Sequence, residues 1–123
     1  MRIIAGRWRS RLLEVPALPD LRPTPDRVRE TLFNWLGQRL DGCACLDLYA
    51  GSGALGFEAA SRGAARVVMV ESDPAALAAL RRSRESLRAL EVEVVAGEAF
   101  DFLGRAGERF DVVFLDPPFR QNA

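Results

Sequence analysis

Two short stretches carry residue types that could do chemistry together. One is Asp116-Pro117-Pro118-Phe119, at the end of the apolar run Asp111–Leu115. The other is Asp47-Leu48-Tyr49-Ala50-Gly51-Ser52-Gly53-Ala54-Leu55-Gly56, at the end of the apolar run Cys43–Tyr49. An exocyclic amino group on a nucleobase is a poor nucleophile, because its lone pair is delocalised into the ring. Two acceptors on its hydrogens, the Asp116 carboxylate and the Pro117 carbonyl, would favour a more tetrahedral and more reactive nitrogen. Proline stiffens the turn and presents that carbonyl without offering a competing N–H. Phe119 could stack on a base flipped out of its helix or loop.

Gly51, Gly53 and Gly56 fit G-x-G-x-x-G, a loop that lets the backbone turn sharply and approach a nucleotide. Glu71 follows 20 residues after Gly51, at the end of the next apolar run, where a carboxylate can take ribose hydroxyls. Both a dinucleotide such as NAD and S-adenosylmethionine suit such a loop. Asp47, four residues before Gly51, would repel a pyrophosphate but suit the ammonium and sulfonium of S-adenosylmethionine. The balance therefore tilts to S-adenosylmethionine, with a NAD-binding oxidoreductase as the other reading. Glu98 ends a third run and could accept an adenine amino group, or merely favour a helix start.

These residues need elements to hold them. Strands are predicted at Cys43–Tyr49, Arg66–Glu71, Val92–Ala96 and Asp111–Leu115. Helices are predicted at Ala54–Arg62, from Asp73-Pro74 to about Leu90, and at Ala99–Arg105. Strand and helix alternate at lengths that make βαβ units and a parallel sheet. The strands are near-continuous apolar runs, as strands covered on both faces should be. Upstream, Thr24 is a good N-cap and Pro25 a good first residue for a helix reaching Asp41-Gly42. Its apolar face would be Val28, Leu32, Phe33, Leu36 and Leu40, with Asp26, Arg27, Arg29 and Glu30 facing elsewhere. Residues 16–25 hold four prolines and read as a loop. Residues 1–15 read as a basic hairpin of two β-prone runs about Gly6–Ser10.

Composition sets outer limits. With 49% hydrophobic and 28% charged residues, the 123-residue chain suits one ordered domain. Neither a membrane-spanning run nor a signal peptide is evident, so no membrane partner and a cytoplasmic location are expected. Cys43 and Cys45 have no His and no second Cys pair beside them, so a metal site is not expected. Net charge is zero but unevenly spread: +4 over residues 1–40 and −4 over residues 41–123. Every basic residue is Arg, which points to compositional bias. Arg2, Arg7, Arg9 and Arg11 nevertheless cluster with no acid among the first thirteen residues, as phosphate contacts would.

D-x-x-x-G-x-G, an acid ending the next strand, and D-P-P-F ending the fourth are shared by methyltransferases that modify exocyclic amino groups. The hairpin RIIAGRWRSR and the block RPTPDRVRETLFNWL (Arg22–Leu36) narrow this further, and the whole chain resembles the RsmD family. The resemblance implies a Rossmann-like α/β fold: a mostly parallel sheet with helices on both faces, preceded by the β-hairpin. It implies methylation, from S-adenosylmethionine, of a guanine N2 amino group in 16S ribosomal RNA, free or in the assembling small subunit. Asp47, Gly51 and Gly53 become the cofactor loop, Glu71 the ribose ligand, and Thr24 part of the segment closing over the methionyl end. Glu98 stands where Asp is common. Asp116, Pro117, Pro118 and Phe119 become the amino-group clamp, and Arg2, Arg7, Arg9 and Arg11 become rRNA contacts. A DNA amino-methyltransferase shares every catalytic motif; only the N-terminal block argues against it. Such folds usually have seven strands, so residues 26–123 are expected to be the N-terminal part of the cofactor-binding domain, with four core strands. A partial, inactive fragment that only binds cofactor or RNA is the alternative. An apolar fourth strand left at the sheet edge would then favour self-association.

Overall fold

The four apolar runs pair side by side and in parallel. In the computed structural model, which describes residues 1–15, 25–103 and 109–116, they are β1 (Ala44–Leu48), β2 (Arg66–Glu71), β3 (Val92–Ala96) and β4 (Val112–Leu115). The helices are α1 (Asp26–Trp35), α2 (Ala54–Ser61), α3 (Pro74–Leu87) and α4 (Ala99–Leu103). Strand order is β3-β2-β1-β4. The chain builds outward from β1 to β3, then crosses back to lay β4 on the other side of β1. Strand order reverses between β1 and β4, and ligands of open α/β sheets bind at such a reversal, outside the carboxyl ends of the strands.

Side chains alternate between two apolar layers, as the period of a strand requires. Cys45, Val67, Met69 and Phe114 join Phe33, Phe57 and Leu80 on the face covered by α1, α2, α3 and the N-terminal residues. Leu46, Leu48, Val68 and Val70 join Ala99 and Phe102 on the α4 face. Helices thus lie on both faces, and β1 and β2 are buried almost throughout. Cys45 is buried, Cys43 half-buried, and burial pushes the Cys45 thiol up to about 12. On β4, Val113 and Leu115 face away from Phe114 and are 50% and 61% exposed. No helix among the described residues is long and apolar enough to cross a membrane.

Element boundaries differ from the sequence reading in instructive ways. α1 stops at Trp35 rather than Asp41-Gly42, because Gly37 and Gln38 take positive φ values of 94° and 67°. Leu40 still reaches the core, from a loop. Val28, assigned to the apolar face, is 51% exposed, whereas Arg29, assigned to the outside, is completely buried. Pro25 is the N-cap of α1; Thr24 lies outside the described residues. In α3 the Asp73 side chain accepts from the Ala76 N–H at 2.9 Å and Pro74 takes the first position, as the Asp-Pro pair predicts. That helix ends at Leu87 rather than Leu90, where Arg88 turns left-handed (φ 53°). The N-terminal residues do double back, but strand pairing shrinks to one antiparallel bridge, Arg2 to Leu12. Backbone bonds from Ile3 to Arg11 and from Ser10 to Ile3 flank that bridge.

Candidate functional site

The carboxyl ends of β1, β2 and β4 bring Asp47, Glu71 and Asp116 to one edge. Register aligns Leu48 with Val70 on one side and with Leu115 on the other. The glycine loop after β1 and Asp116 after β4 therefore flank the reversal between the two strands.

The loop runs through alternating left-handed residues: Tyr49, Gly51 and Gly53 have φ of 59°, 58° and 82°. Glycine adopts this region freely; Tyr49 does so at a cost, which concentrates strain at the start of the loop. The Ala50 N–H donates to Val70 O at 3.0 Å and pins the loop to β2. Glycine spacing alone does not disclose the role of Tyr49.

Asp47 points beneath this loop and is only 2% exposed. Its Oδ2 accepts from the Gly56 N–H at 3.0 Å. Gly56 lies in the first turn of α2, where backbone donors have no partner within the helix. A Cβ on Gly56 would lie 3.0 Å from Asp47 Oδ2 and 2.5 Å from Met69 Cε, so the third glycine of the motif makes room for the acid. Burial pushes the Asp47 carboxyl up to about 7; the Gly56 N–H opposes the rise, and the charges of Asp116 and Glu71 add to it.

Glu71 is fastened by backbone. Its Oε1 accepts from Gly51 N–H at 2.8 Å, and its Oε2 from Ser72 N–H at 3.0 Å and Asp73 N–H at 2.9 Å. Three of about four acceptor positions on a carboxylate are filled. One position, on Oε1 beside the Gly51 amide, is left open, so a diol that donates twice must displace one of these amides. Gly97, after β3, donates to Glu71 O at 3.0 Å and brings the next residue, Glu98, to the same edge, exposed and one strand further out. Asp116 is also exposed. Pro117, Pro118, Phe119 and Thr24 lie outside the described residues.

The four hairpin arginines are elsewhere. Arg7 pairs with Glu91, which precedes β3, and stacks on Trp8 with its guanidinium carbon 4.2 Å from the ring centroid. Arg11 donates to Ser86 O at 3.1 Å, near the end of α3, and Arg2 to Ser10 O at 2.7 Å. Arg9 is exposed. The starts of the strands and the ends of the helices lie opposite the Asp47–Glu71–Asp116 edge. The hairpin tip and the candidate site thus occupy opposite ends of the sheet, a separation invisible in the charge count.

The sequence missed one buried cluster. Glu58, Arg29 and Arg62 sit together between α1, α2 and the hairpin, with Glu58 Oε2 2.8 Å from Arg62 Nε and Oε1 3.3 Å from Arg29 Nη1. The only available signal was the i, i+4 spacing of Glu58 and Arg62 in an otherwise apolar helix.

Comparison with known proteins agrees with this architecture. The family model described as conserved hypothetical protein 95 matches residues 1–123. Ribosomal RNA small subunit methyltransferase D of Escherichia coli is 50% identical over 122 residues, which cover 99% of this chain and 62% of that protein. The Haemophilus influenzae protein of the same name is 48% identical, with 99% and 65% covered. The chain thus spans a little under two thirds of these curated relatives. The solved structure of yhhF from Escherichia coli, described as a proposed methyltransferase, superimposes with a TM-score of 0.87 at 49% identity, covering 99% of this chain and 67% of that one. The fold is Rossmann-like, with the methyltransferase arrangement of its first four strands, and the chain belongs to the RsmD family.

Proposed function

We propose that the protein methylates the exocyclic N2 amino group of a guanine in 16S ribosomal RNA, with S-adenosylmethionine as donor. The observation that carries this reading is the register of β1 with β4. It sets an exposed carboxylate, Asp116, beside the glycine loop and the buried Asp47. The small-subunit RNA substrate follows the names of the relatives; the guanine N2 position follows the resemblance to the RsmD family.

The residues suit the cofactor. A buried carboxyl displaced to about 7 is one that a nearby cation would return to its charged form. Asp47 would hold the ammonium of the methionyl group, Glu71 the ribose, and the backbone of Gly51 and Gly53 would admit the nucleoside. Glu98 would reach the adenine and Thr24 would cover the methionyl end. When bound, S-adenosylmethionine supplies a methyl group made electrophilic by its sulfonium.

The chain's own task is to prepare the amine. Asp116 accepts an N–H of the guanine amino group, which favours localisation of the nitrogen lone pair, and it can receive the proton released on methylation. The Pro117 carbonyl would take the second N–H, Pro118 would keep the turn stiff, and Phe119 would stack on the base. Such catalysis rests on positioning and fixed electrostatics. Arg2, Arg7, Arg9 and Arg11 would contact the RNA backbone remote from the target base.

The test is transfer of labelled methyl from S-adenosylmethionine to small ribosomal subunits lacking the modification, with products mapped to the base atom. Transfer to guanine N2 that Asp116→Ala abolishes is expected. No transfer by an intact, folded protein, or label on another atom, refutes the assignment. Calorimetric binding of NAD in preference to S-adenosylhomocysteine would refute the cofactor.

A further inference from the structure

Glu58 lies inside α2, fully buried, away from the strand ends. Its two oxygens take four donors from three elements. Oε1 accepts from Ile4 N–H at 2.9 Å and Arg29 Nη1 at 3.3 Å; Oε2 accepts from Ala5 N–H at 3.1 Å and Arg62 Nε at 2.8 Å. Each oxygen thus holds one hairpin amide and one guanidinium. The second terminal nitrogen of Arg29 pairs with Asp26, and Arg62 stacks over Phe33 at 4.6 Å.

One turn later, Ser61 holds the same hairpin. Its hydroxyl donates to Ala5 O at 2.7 Å and accepts from Trp8 N–H at 2.9 Å, while its carbonyl accepts from Arg7 N–H at 2.8 Å. Gly6 lies so close that a Cβ there would be 2.0 Å from that carbonyl oxygen. A buried ion cluster is a weak source of stability, since desolvation offsets much of its Coulomb attraction, and here Arg29 Nε is left without a partner. What the cluster does supply is a fixed bearing of hairpin on helix.

We propose that Glu58 is a positioning residue for RNA. It locks residues 4–8 to α2, the helix that starts at the glycine loop, and so fixes the hairpin arginines at a set distance and angle from Asp116. This rests on the RNA-methyltransferase reading above.

The test is Glu58→Gln. The glutamine amide nitrogen would face one amide and one guanidinium, so half of the contacts become donor against donor. The expected result is a KM for RNA raised about tenfold, with kcat and S-adenosylhomocysteine affinity within about twofold. Amide exchange should accelerate at Ile4 and Ala5 while Val67–Val70 stay protected. Arg9→Ala should raise KM in the parent protein but add little in the Glu58→Gln background. An unchanged KM with Ile4 and Ala5 freed overturns the proposal, as does loss of kcat with KM intact. If Glu58→Gln does not fold, exchange in the parent protein decides: RNA should slow Ile4 and Ala5, and no slowing overturns the proposal. A parent protein that neither binds nor methylates RNA defeats the underlying reading instead, a result distinct from an unchanged KM in an active enzyme.

Discussion

Replacing Asp47 by Asn separates the cost of the site from its use. The carboxyl ordinarily titrates near 3.8 and is pushed up to about 7 in the fold. Between those values the folded protein holds a proton that the unfolded chain has released. Stability linked to Asp47 is therefore fully present below about pH 4 and is lost as pH rises through 7. The displacement of about 3 pH units corresponds to at most about 4 kcal/mol, at 1.36 kcal/mol each. Asparagine keeps an oxygen for the Gly56 N–H and cannot ionise. The variant should match the parent near pH 4 and exceed it at pH 8 by about 1–3 kcal/mol once relaxation is allowed for, or roughly 4 °C in Tm per kcal/mol. Urea or thermal melts of both proteins from pH 4 to 8 measure this as the change in their difference, which cancels the titrating groups that do not interact with Asp47; Asp116 and Glu71 do interact with it. Added S-adenosylhomocysteine should reverse the order at pH 8, because only the parent offers a charge to the ligand's ammonium. A gap that stays constant from pH 4 to 8 refutes the burial argument. Equal stabilisation of both proteins by the ligand refutes the cationic contact.

Other substitutions test the remaining parts. Asp116→Asn, at an exposed position, should leave Tm within about 1 °C and lower kcat by roughly 10²-fold or more, read by single-turnover methyl transfer. Gly56→Ala should destabilise by about 1–3 kcal/mol in urea melts, since its Cβ meets Met69 and Asp47. Glu71→Gln sets an amide nitrogen against one or more of the Gly51, Ser72 and Asp73 amides. It should weaken S-adenosylhomocysteine binding by about tenfold or more in calorimetry. Paired removal of Arg2 and Arg9 should lower the slope of log RNA affinity against log salt, which binding titrations at several ionic strengths would detect.

Much of this was legible before any fold was built. Apolar runs of five to seven residues, the Asp73-Pro74 cap and the spacing of the glycines are local signals. A buried strand must be apolar on both faces, and a helix start must supply donors and acceptors where the chain sits. Asp47 and Glu71 lie at the ends of apolar runs and Gly51 and Asp116 follow them, so a parallel sheet brings all four to one edge whatever its detailed packing. The interior of α1 was not legible. Val28 and Arg29 exchange the places that periodicity assigns, because the fate of a charged side chain depends on what approaches it from elsewhere in the chain.

What the sequence by itself determined was therefore the order of elements, their type and the acids at the strand ends. Only the tertiary structure decided that β4 lies beside β1, that Asp47 is buried under Gly56, and that the hairpin arginines sit at the far end of the sheet. It alone decided that Arg29 turns inward. The physical reason is the partner: Glu58 lies 29 residues further along the chain, with Ile4 and Ala5 more than 50 residues before it. Local pattern carries no record of contacts so distant, whereas desolvation and hydrogen bonding at the meeting point decide which side chains are buried.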